Sequence, residues 1–155
     1  MKVLYCTGNE GKFKEASFVF EEFNANNGGG GGGGVTVEVV QVDADPVEIQ
    51  GTALEIGRSK VTEAVRILRA KGAIPEGTDW VVTEDVGLAL RCLNGFPGPY
   101  CKPMLEAIGD TGLWELMKHY EDRHALVTCT LAAVKVSGGG RASGGGGASG
   151  GGGGG

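Results

Sequence analysis

The sequence lacks the features that are typical of membrane, zinc-binding and nucleic-acid-binding proteins. No apolar run approaches the roughly 20 residues of a membrane span, and the N-terminal run Val3–Cys6 ends too soon for a signal peptide. The four cysteines form no C-x-x-C pair and no histidine stands at ligand spacing from them, which argues against zinc and a disulfide framework. The net charge of −5 provides no attractive field for nucleic acid or anionic lipid. We therefore expect a cytoplasmic protein with reduced thiols and with no nucleic-acid or membrane partner.

Glycine is in excess, and the excess is confined to tracts. The chain of 155 residues contains 31 glycines, most of them in the segments 28–34 and 138–155. A hydrophobic share of 41% is enough for one core, so residues 1–137 are predicted to form a single domain in which 28–34 is a loop. The tract 138–155 has almost nothing to bury. It is interpreted either as a literal flexible tail or as glycine standing for unassigned residues of a C-terminal part.

Apolar periodicity predicts strands that alternate with helices. Strands are predicted at 3–6, 35–39, 80–83 and 125–136, with a strand or bend at 88–93. Helices are predicted from Phe13 to Phe23, over 53–71 with Gly72 as the stop, and over 103–108 and 111–120. Residues 24–27 are predicted as a linker and 43–52 as a loop. The alternation predicts an α/β fold in which helices flank a mostly parallel or mixed sheet.

The segment Thr7-Gly8-Asn9-Glu10-Gly11-Lys12 is predicted to form the turn between the first strand and the first helix. Such a turn directs backbone N–H groups and the positive end of the helix to one point, which favours phosphate binding. Thr7 and Asn9 add side-chain donors, and Lys12 adds a charge. The G-x-x-G-K spacing is two residues short of a Walker loop. The turn therefore predicts either a phosphate site or only a helix cap.

Carboxylates form a second candidate site. Glu84 and Asp85 follow the predicted strand 80–83, at the edge of the sheet where α/β proteins place ligands. Their oxygens, and those of Glu48 in the loop before the second helix, are the donors that Mg²⁺ prefers. The more common role of an isolated glutamate such as Glu48 is that of a solvated loop charge. The remaining basic candidates, Lys60 and Lys102, are each also compatible with a surface lysine.

A turn-rich segment, Asn94-Gly95-Phe96-Pro97-Gly98-Pro99-Tyr100, is the third candidate. Its two prolines fix φ and its two glycines permit unusual backbone conformations, so a rigid loop is predicted. Phe96 and Tyr100 offer flat faces that suit stacking on a base. The alternative is a turn whose aromatic residues fill the core.

Five motifs, taken in order, resemble those of the inosine triphosphate pyrophosphatases, the Ham1-like family of house-cleaning nucleotidases. They are Thr7-Gly8-Asn9-x-x-Lys12, Glu48-Ile49-Gln50-Gly51, Glu55-Ile56 with Lys60, Glu84-Asp85-x-Gly87-Leu88, and Asn94 to Tyr100. The resemblance covers residues 1 to about 136. It implies an elongated mixed β-sheet flanked by helices, two lobes with a central cleft, and a homodimer. It also implies Mg²⁺-dependent hydrolysis of ITP, dITP and XTP to the nucleoside monophosphate and pyrophosphate.

The resemblance also implies roles for the matching residues. Glu48 and Asp85 would hold Mg²⁺, and Asp85 would orient or deprotonate the attacking water, with Lys12 as the second catalytic residue. The substrate-binding residues would be Thr7, Gly8, Asn9, Glu10, Gly11, Lys12, Lys60 and Lys102.

The sequence departs from the family at two places. Val86 stands where the family often has Thr or Ser, and nothing after Ser137 matches the aromatic-acidic segment or the Ser-His-Arg element that recognise the base in the family. Two alternatives therefore stay open. One is a Maf-like pyrophosphatase for modified pyrimidine nucleotides, and the other, if the C-terminal glycines are literal, is a nucleotide-binding module without catalysis.

Overall fold

The computed structural model describes residues 1–27 and 34–137, which form one mixed β-sheet with flanking helices. The predictions for residues 28–33 and for the tract 138–155 lie outside the described residues. The elements in chain order are β1 (Lys2–Cys6), α1 (Glu10–Asn27), β2 (Glu38–Val42), α2 (Ala53–Ala70), β3 (Trp80–Leu90), β4 (Pro97–Gly98), α3 (Cys101–Met117) and β5 (Ala125–Lys135). The predicted α/β class with a mixed sheet is confirmed.

Strand β3 is central to the sheet and defines a gap in it. β1 lies between β2 and β3 and is parallel to both, whereas β5 pairs antiparallel with the other edge of β3. The β1–β3 ladder ends at the pair Cys6–Thr83, and the short antiparallel strand β4 pairs with β3 only from Leu88 onward. Residues 84–87 of β3 therefore have no strand beside them on that edge. We call the gap between the end of β1 and β4, along residues 84–87, the notch.

Helix α2 packs the main core against one face of the sheet. Its first turn is closed by a capping box, in which the Thr52 hydroxyl accepts a hydrogen bond from the Glu55 backbone N–H and the Glu55 carboxylate accepts one from that of Thr52. Gly72, with φ of 61°, follows the end of the helix as predicted. The buried apolar cluster on this face consists of Leu4, Cys6, Ala44, Ala64, Val65, Leu68 and Val81. This packing holds α2 in place against β1 and β3.

Helix α1 lies on the opposite face of the sheet. Successive residues of a strand point to opposite faces, and Glu84 of β3 contacts Lys12 of α1 whereas Asp85 contacts Lys60 of α2. None of the α1 residues is fully buried, and the side chains of Phe18 and Val19 are 60% and 61% exposed. The apolar stripe of α1 is therefore only partly covered by the rest of the described chain.

Two boundary predictions near the first glycine tract are wrong. Residues 24–27, predicted as a linker, continue α1, and the Asn24 side chain exchanges two hydrogen bonds of 2.8 Å with the backbone of Val37. The second strand lies at 38–42 instead of 35–39. Its position is determined by pairing with β1, where Lys2 lies opposite Glu38 and Cys6 opposite Val42. The alternating valines indicated a strand correctly, but pairing with β1 places that strand three residues later than predicted.

The prediction that Glu84 and Asp85 follow the end of a strand is also wrong, because both lie inside the continuous strand β3. The 11 residues of β3 pair with β5 over their whole length, from Trp80–Lys135 to Leu90–Ala125.

The two helices predicted at 103–108 and 111–120 correspond to α3, which Gly109 interrupts with a non-helical φ of 62° and ψ of −178°. The fifth strand lies where the alternation predicts it.

Three further expectations bear on partners and shape. Within residues 1–27 and 34–137, no helix combines the length and apolar character needed to cross a membrane. The four cysteines are free thiols. The two lobes with a central cleft stay a prediction, since the described residues form one sheet.

Candidate functional site

A cavity of about 690 Å³ opens at the notch, on the side of β3 that β1 leaves uncovered. It brings together residues from the β1–α1 turn, the loop before α2, α2 itself, β3 and the start of α3. The residues predicted for the site that line this cavity are Thr7, Gly8, Asn9, Lys12, Glu48, Lys60, Glu84, Asp85 and Lys102. The other two predicted substrate-binding residues, Glu10 and Gly11, are not among the lining residues; they lie in the first turn of α1.

The β1–α1 turn is a helix cap that also faces the cavity. Asn9 Oδ1 accepts hydrogen bonds from the backbone N–H groups of Gly11 and Lys12 at 2.8 and 3.1 Å. Thr7 Oγ1 accepts one from the Asn9 N–H at 3.1 Å. Both interactions use acceptor atoms, so the Asn9 Nδ2 group and the Thr7 hydroxyl proton take no part in the cap. The cap interpretation is confirmed, and it is compatible with donation to a ligand.

Lys60 connects the two predicted metal ligands. Its Nζ lies 2.8 Å from Glu48 Oε1 and 3.2 Å from Asp85 Oδ1, and its side chain is only 15% exposed. Burial on its own lowers the pKa of Lys60, but the hydrogen bond to Glu48 and the charge of Asp85 outweigh burial and raise this pKa above its usual value. The hydrogen bond from Lys60 lowers the pKa of Glu48, and the charges of Lys102 and Lys12 lower it further. Lys60 and Glu48 are therefore both charged at neutral pH.

Lys12 pairs with the other carboxylate of β3. Its Nζ lies 3.2 Å from Glu84 Oε1, and the second oxygen of Glu84 accepts a hydrogen bond from the Tyr5 hydroxyl. Tyr5 is buried in β1, and burial together with this hydrogen bond raises the pKa of its phenol far above the usual value. The two adjacent acids therefore form ion pairs on opposite faces of the sheet: Glu84 pairs with Lys12 on the α1 face, and Asp85 pairs with Lys60 on the α2 face.

Several lining residues were missed or misassigned from the sequence. Asp43 and Asp45 line the cavity directly after β2, at the carboxyl edge where the Glu84–Asp85 argument looked for ligands. The misplaced second strand concealed this signal. Phe96 and Tyr100, proposed to stack on a base, are not among the lining residues. The Tyr100 hydroxyl instead accepts a hydrogen bond of 2.9 Å from the Gly51 N–H, which ties the turn-rich segment to the loop that carries Glu48.

The carboxylates at the notch match the donor chemistry of Mg²⁺. Glu48 and Asp85 already hold one cation, the Lys60 ammonium, at distances of about 3 Å. No cluster of three or more His, Cys, Asp or Glu residues poised to bind a metal is found among residues 1–27 and 34–137. Mg²⁺ in nucleotide enzymes usually takes only one or two carboxylates, and water and phosphate oxygens complete its octahedron. The donor set therefore fits Mg²⁺ bound together with a phosphate ligand.

Comparisons with known proteins agree on one family. The model of the Ham1 family matches residues 3–147. The chain is 34% identical over 125 residues to the dITP/XTP pyrophosphatase of Methanothermobacter marburgensis. The matched region covers 81% of this chain and 56% of that protein. It is 33% identical over 133 residues to the inosine triphosphate pyrophosphatase of Ajellomyces capsulatus, covering 85% and 61%. The chain therefore spans little more than half the length of these curated relatives.

Solved structures support the same fold. The Staphylococcus aureus Ham1 protein superposes with a TM-score of 0.58 at 21% identity, over 86% of this chain and 63% of that one. A HAM1 protein from Coxiella burnetii superposes with a TM-score of 0.56 at 16% identity, over 87% and 64%. The match to the family model, the identity with the curated relatives and the shared fold lead to one conclusion: this chain belongs to the Ham1 family.

Proposed function

We propose that this protein hydrolyses deaminated purine nucleoside triphosphates, such as ITP, dITP and XTP, to the monophosphate and pyrophosphate. The observation that carries the proposal is the cavity at the notch, which gathers three lysines and the Glu48–Asp85 pair around a helix-capping turn. The names of the relatives, inosine triphosphate pyrophosphatase and dITP/XTP pyrophosphatase, indicate the substrate class. The reaction is attack by water on the α-phosphorus, with pyrophosphate as the leaving group.

The lysines would supply the binding energy for the triphosphate. Lys12, Lys60 and Lys102 all line the cavity, and hydrogen bonds from charged donors to phosphate are about twice as strong as neutral ones. Lys12 and Lys60 already form ion pairs with carboxylates, so the positions of their ammonium groups are fixed before a ligand binds. Such preorganisation lowers the entropic cost of binding.

Glu48 and Asp85 would hold Mg²⁺, which when bound supplies charge neutralisation to the phosphate oxygens. Asp85 would also orient or deprotonate the attacking water from its position in β3. Its side chain is only 18% exposed, and a general base acts from a fixed position within hydrogen-bond reach of the water that it deprotonates. Phosphoryl transfer requires little covalent chemistry from the protein, so positioning and charge are sufficient roles for these residues.

The direct test is product analysis with purified protein. ITP, dITP and XTP are incubated with and without Mg²⁺, and pyrophosphate and orthophosphate are quantified separately. We expect pyrophosphate in the presence of Mg²⁺ and very little in its absence. ATP and methylated UTP serve as comparison substrates, and preferential turnover of the methylated pyrimidine would support the Maf-like alternative. No pyrophosphate from any of these substrates would contradict a pyrophosphatase.

A nucleotide-binding module without catalysis is the second candidate, and it applies if the C-terminal glycines are literal. Calorimetry that detects ITP binding by a protein without turnover would favour it. A homodimer also stays a proposal. Exposed apolar side chains such as Phe18, Val19, Leu126 and Val127 are compatible with an interface, and light scattering of the purified protein tests it.

A further inference from the structure

Beneath the cavity, a buried tyrosine supports the ion pair of Lys12. Tyr5 is 3% exposed and lies in β1 on the face that α1 covers, one pleat away from Glu84 in the neighbouring strand. Its hydroxyl donates to one oxygen of Glu84, and the other oxygen of Glu84 contacts Lys12 Nζ at 3.2 Å. The three side chains thus form a chain that runs from the core of the sheet to the wall of the cavity.

We propose that Tyr5 is a positioning residue for the phosphate site, acting through Glu84 to direct the Lys12 ammonium into the cavity. The inference rests on the proposed function, and it deepens that function by assigning a task to Tyr5, which no motif includes, and a task other than metal binding to Glu84. Tyr5 is not among the residues that line the cavity, and both oxygens of Glu84, which does line it, are engaged by other side chains. Each acts on the ligand only through the lysine.

Lys12 needs such support because of its own chemistry. A lysine carries its charge on a flexible four-carbon stem, and holding it in one place costs rotamer entropy. Lys12 is 27% exposed and Glu84 is 15% exposed, so the pair lies at the border between the core and the cavity. A carboxylate fixed at only one oxygen could rotate. With the Tyr5 hydroxyl on one oxygen and the ammonium on the other, the carboxylate is fixed at both ends.

The same geometry explains why the two adjacent acids have different tasks. Strand alternation turns Glu84 toward α1 and Asp85 toward α2, and Tyr5 lies only on the α1 side. Glu84 is engaged at both oxygens by residues of the chain. Among the side chains of the described residues, Asp85 forms an ion pair and a hydrogen bond only with Lys60, so it remains the acid suited to metal. Leaving the buried Tyr5 hydroxyl without a hydrogen-bond partner would cost free energy, and this cost stabilises the hydrogen bond between Tyr5 and Glu84.

A double-mutant cycle tests the proposal on ligand binding, without requiring turnover. Binding of inorganic tripolyphosphate in the presence of Mg²⁺ is measured by calorimetry for wild type, Tyr5→Phe, Lys12→Ala and the double variant. Tyr5→Phe should weaken binding by about fivefold, the effect of one hydrogen bond of ordinary strength. In the Lys12→Ala background the same change should alter binding by less than about 1.5-fold, because the residue through which Tyr5 acts is gone.

Controls separate positioning from general damage to the fold. Tyr120→Phe removes a hydroxyl from a tyrosine that follows α3 and does not line the cavity, and it should leave binding unchanged. If Tyr5→Phe unfolds the protein, Glu84→Gln takes its place in the cycle; it removes the charge that holds Lys12 and should likewise have no effect once Lys12 is replaced. Circular dichroism establishes which variants are folded.

Each outcome is decisive. A Tyr5→Phe effect that vanishes without Lys12 supports the proposal. An equal effect in both backgrounds, or no effect in a folded Tyr5→Phe protein, overturns the proposal for Tyr5. The proposed function remains intact in that case if wild type binds tripolyphosphate and releases pyrophosphate from ITP. Failure of wild type to bind tripolyphosphate overturns the proposal, and failure to hydrolyse ITP, measured separately, contradicts the proposed function.

Discussion

Replacing Lys60 by methionine should make the protein less stable but better at binding metal. Lys60 is the cation that the two predicted metal ligands share, with its Nζ at 2.8 Å from Glu48 and 3.2 Å from Asp85. Methionine keeps an unbranched side chain of similar length and removes only the charge and the donors. The substitution therefore leaves two carboxylates facing each other without a counter-ion.

The size of the effect follows from the geometry. Oxygens that contact the same ammonium lie roughly 5 Å apart, where two unit charges repel by about 3 kcal/mol at an effective dielectric constant of about 20. The Glu48 side chain is 57% exposed, so water and salt screen most of this repulsion. We expect the free energy of unfolding to fall by about 1 kcal/mol without metal. Mg²⁺ would no longer have to displace an ammonium, so its affinity should rise by about fivefold.

The matched control is Lys14→Met, which removes the same charge from an exposed position on α1. Mg²⁺ affinity is measured by calorimetry without nucleotide, and stability by denaturant unfolding with and without Mg²⁺. The Lys60 variant should bind Mg²⁺ more tightly than the Lys14 variant and should regain its lost stability when Mg²⁺ is added. Turnover of ITP should nevertheless be slower, because Lys60 is lost from the phosphate site. Mg²⁺ affinity equal to that of the Lys14 variant would refute the assignment of Glu48 and Asp85 as the metal ligands.

Three further predictions concern the same cavity. Lys12→Ala should raise KM for ITP and lower kcat/KM by about 10- to 100-fold, the range for a charged hydrogen bond, and steady-state kinetics that match wild type would remove Lys12 from the site. Asp85→Asn should lower kcat by about 10²- to 10⁴-fold while circular dichroism stays unchanged, and near-normal turnover would exclude Asp85 as general base. Pairing with Lys60 lowers the pKa of Glu48, so ionised Glu48 should make wild type more stable than Glu48→Gln. The full stability difference should be present above the unfolded pKa of about 4.3. It should vanish as the pH falls through the lower pKa of Glu48 in the folded protein. Denaturant midpoints measured between neutral and acidic pH test the last prediction, and a difference that persists in acid would contradict it.

The elements that sequence periodicity predicted best are those whose signals are local. Helix α2 has a capping box at Thr52 and a glycine stop at Gly72, and β1 is a buried apolar run, so both lie where they were predicted. The boundaries that were wrong depend on distant partners. β2 takes its position from β1, and β3 is extended through Glu84 and Asp85 by pairing with β5, which lies about 45 residues later in the chain.

Gly87 illustrates the same limit within the site. In the sequence it is part of the motif Glu84-Asp85-x-Gly87-Leu88, beyond the predicted strand 80–83, whereas in the structure it lies inside β3. A Cβ at this position would lie 2.8 Å from Thr128 Oγ1 of β5 and 3.2 Å from the Gly98 carbonyl oxygen of β4. The glycine therefore allows two strands to approach β3 closely at the end of the notch. Only the three-dimensional pairing reveals this requirement.

The motifs predicted the three lysines of the cavity but not Asp43 and Asp45. Strand parity determines which lysine meets which acid. Once Glu84 and Asp85 lie within one strand, they must face opposite helices, and each finds a different lysine. The cavity is lined by five carboxylates and three lysines, and the whole chain has a net charge of −5. A polyanion would therefore need a bound cation such as Mg²⁺ to bridge the like charges. A metal that takes Asp85 and Glu48 would release Lys60 to the phosphates, so the metal and the triphosphate should each strengthen the binding of the other.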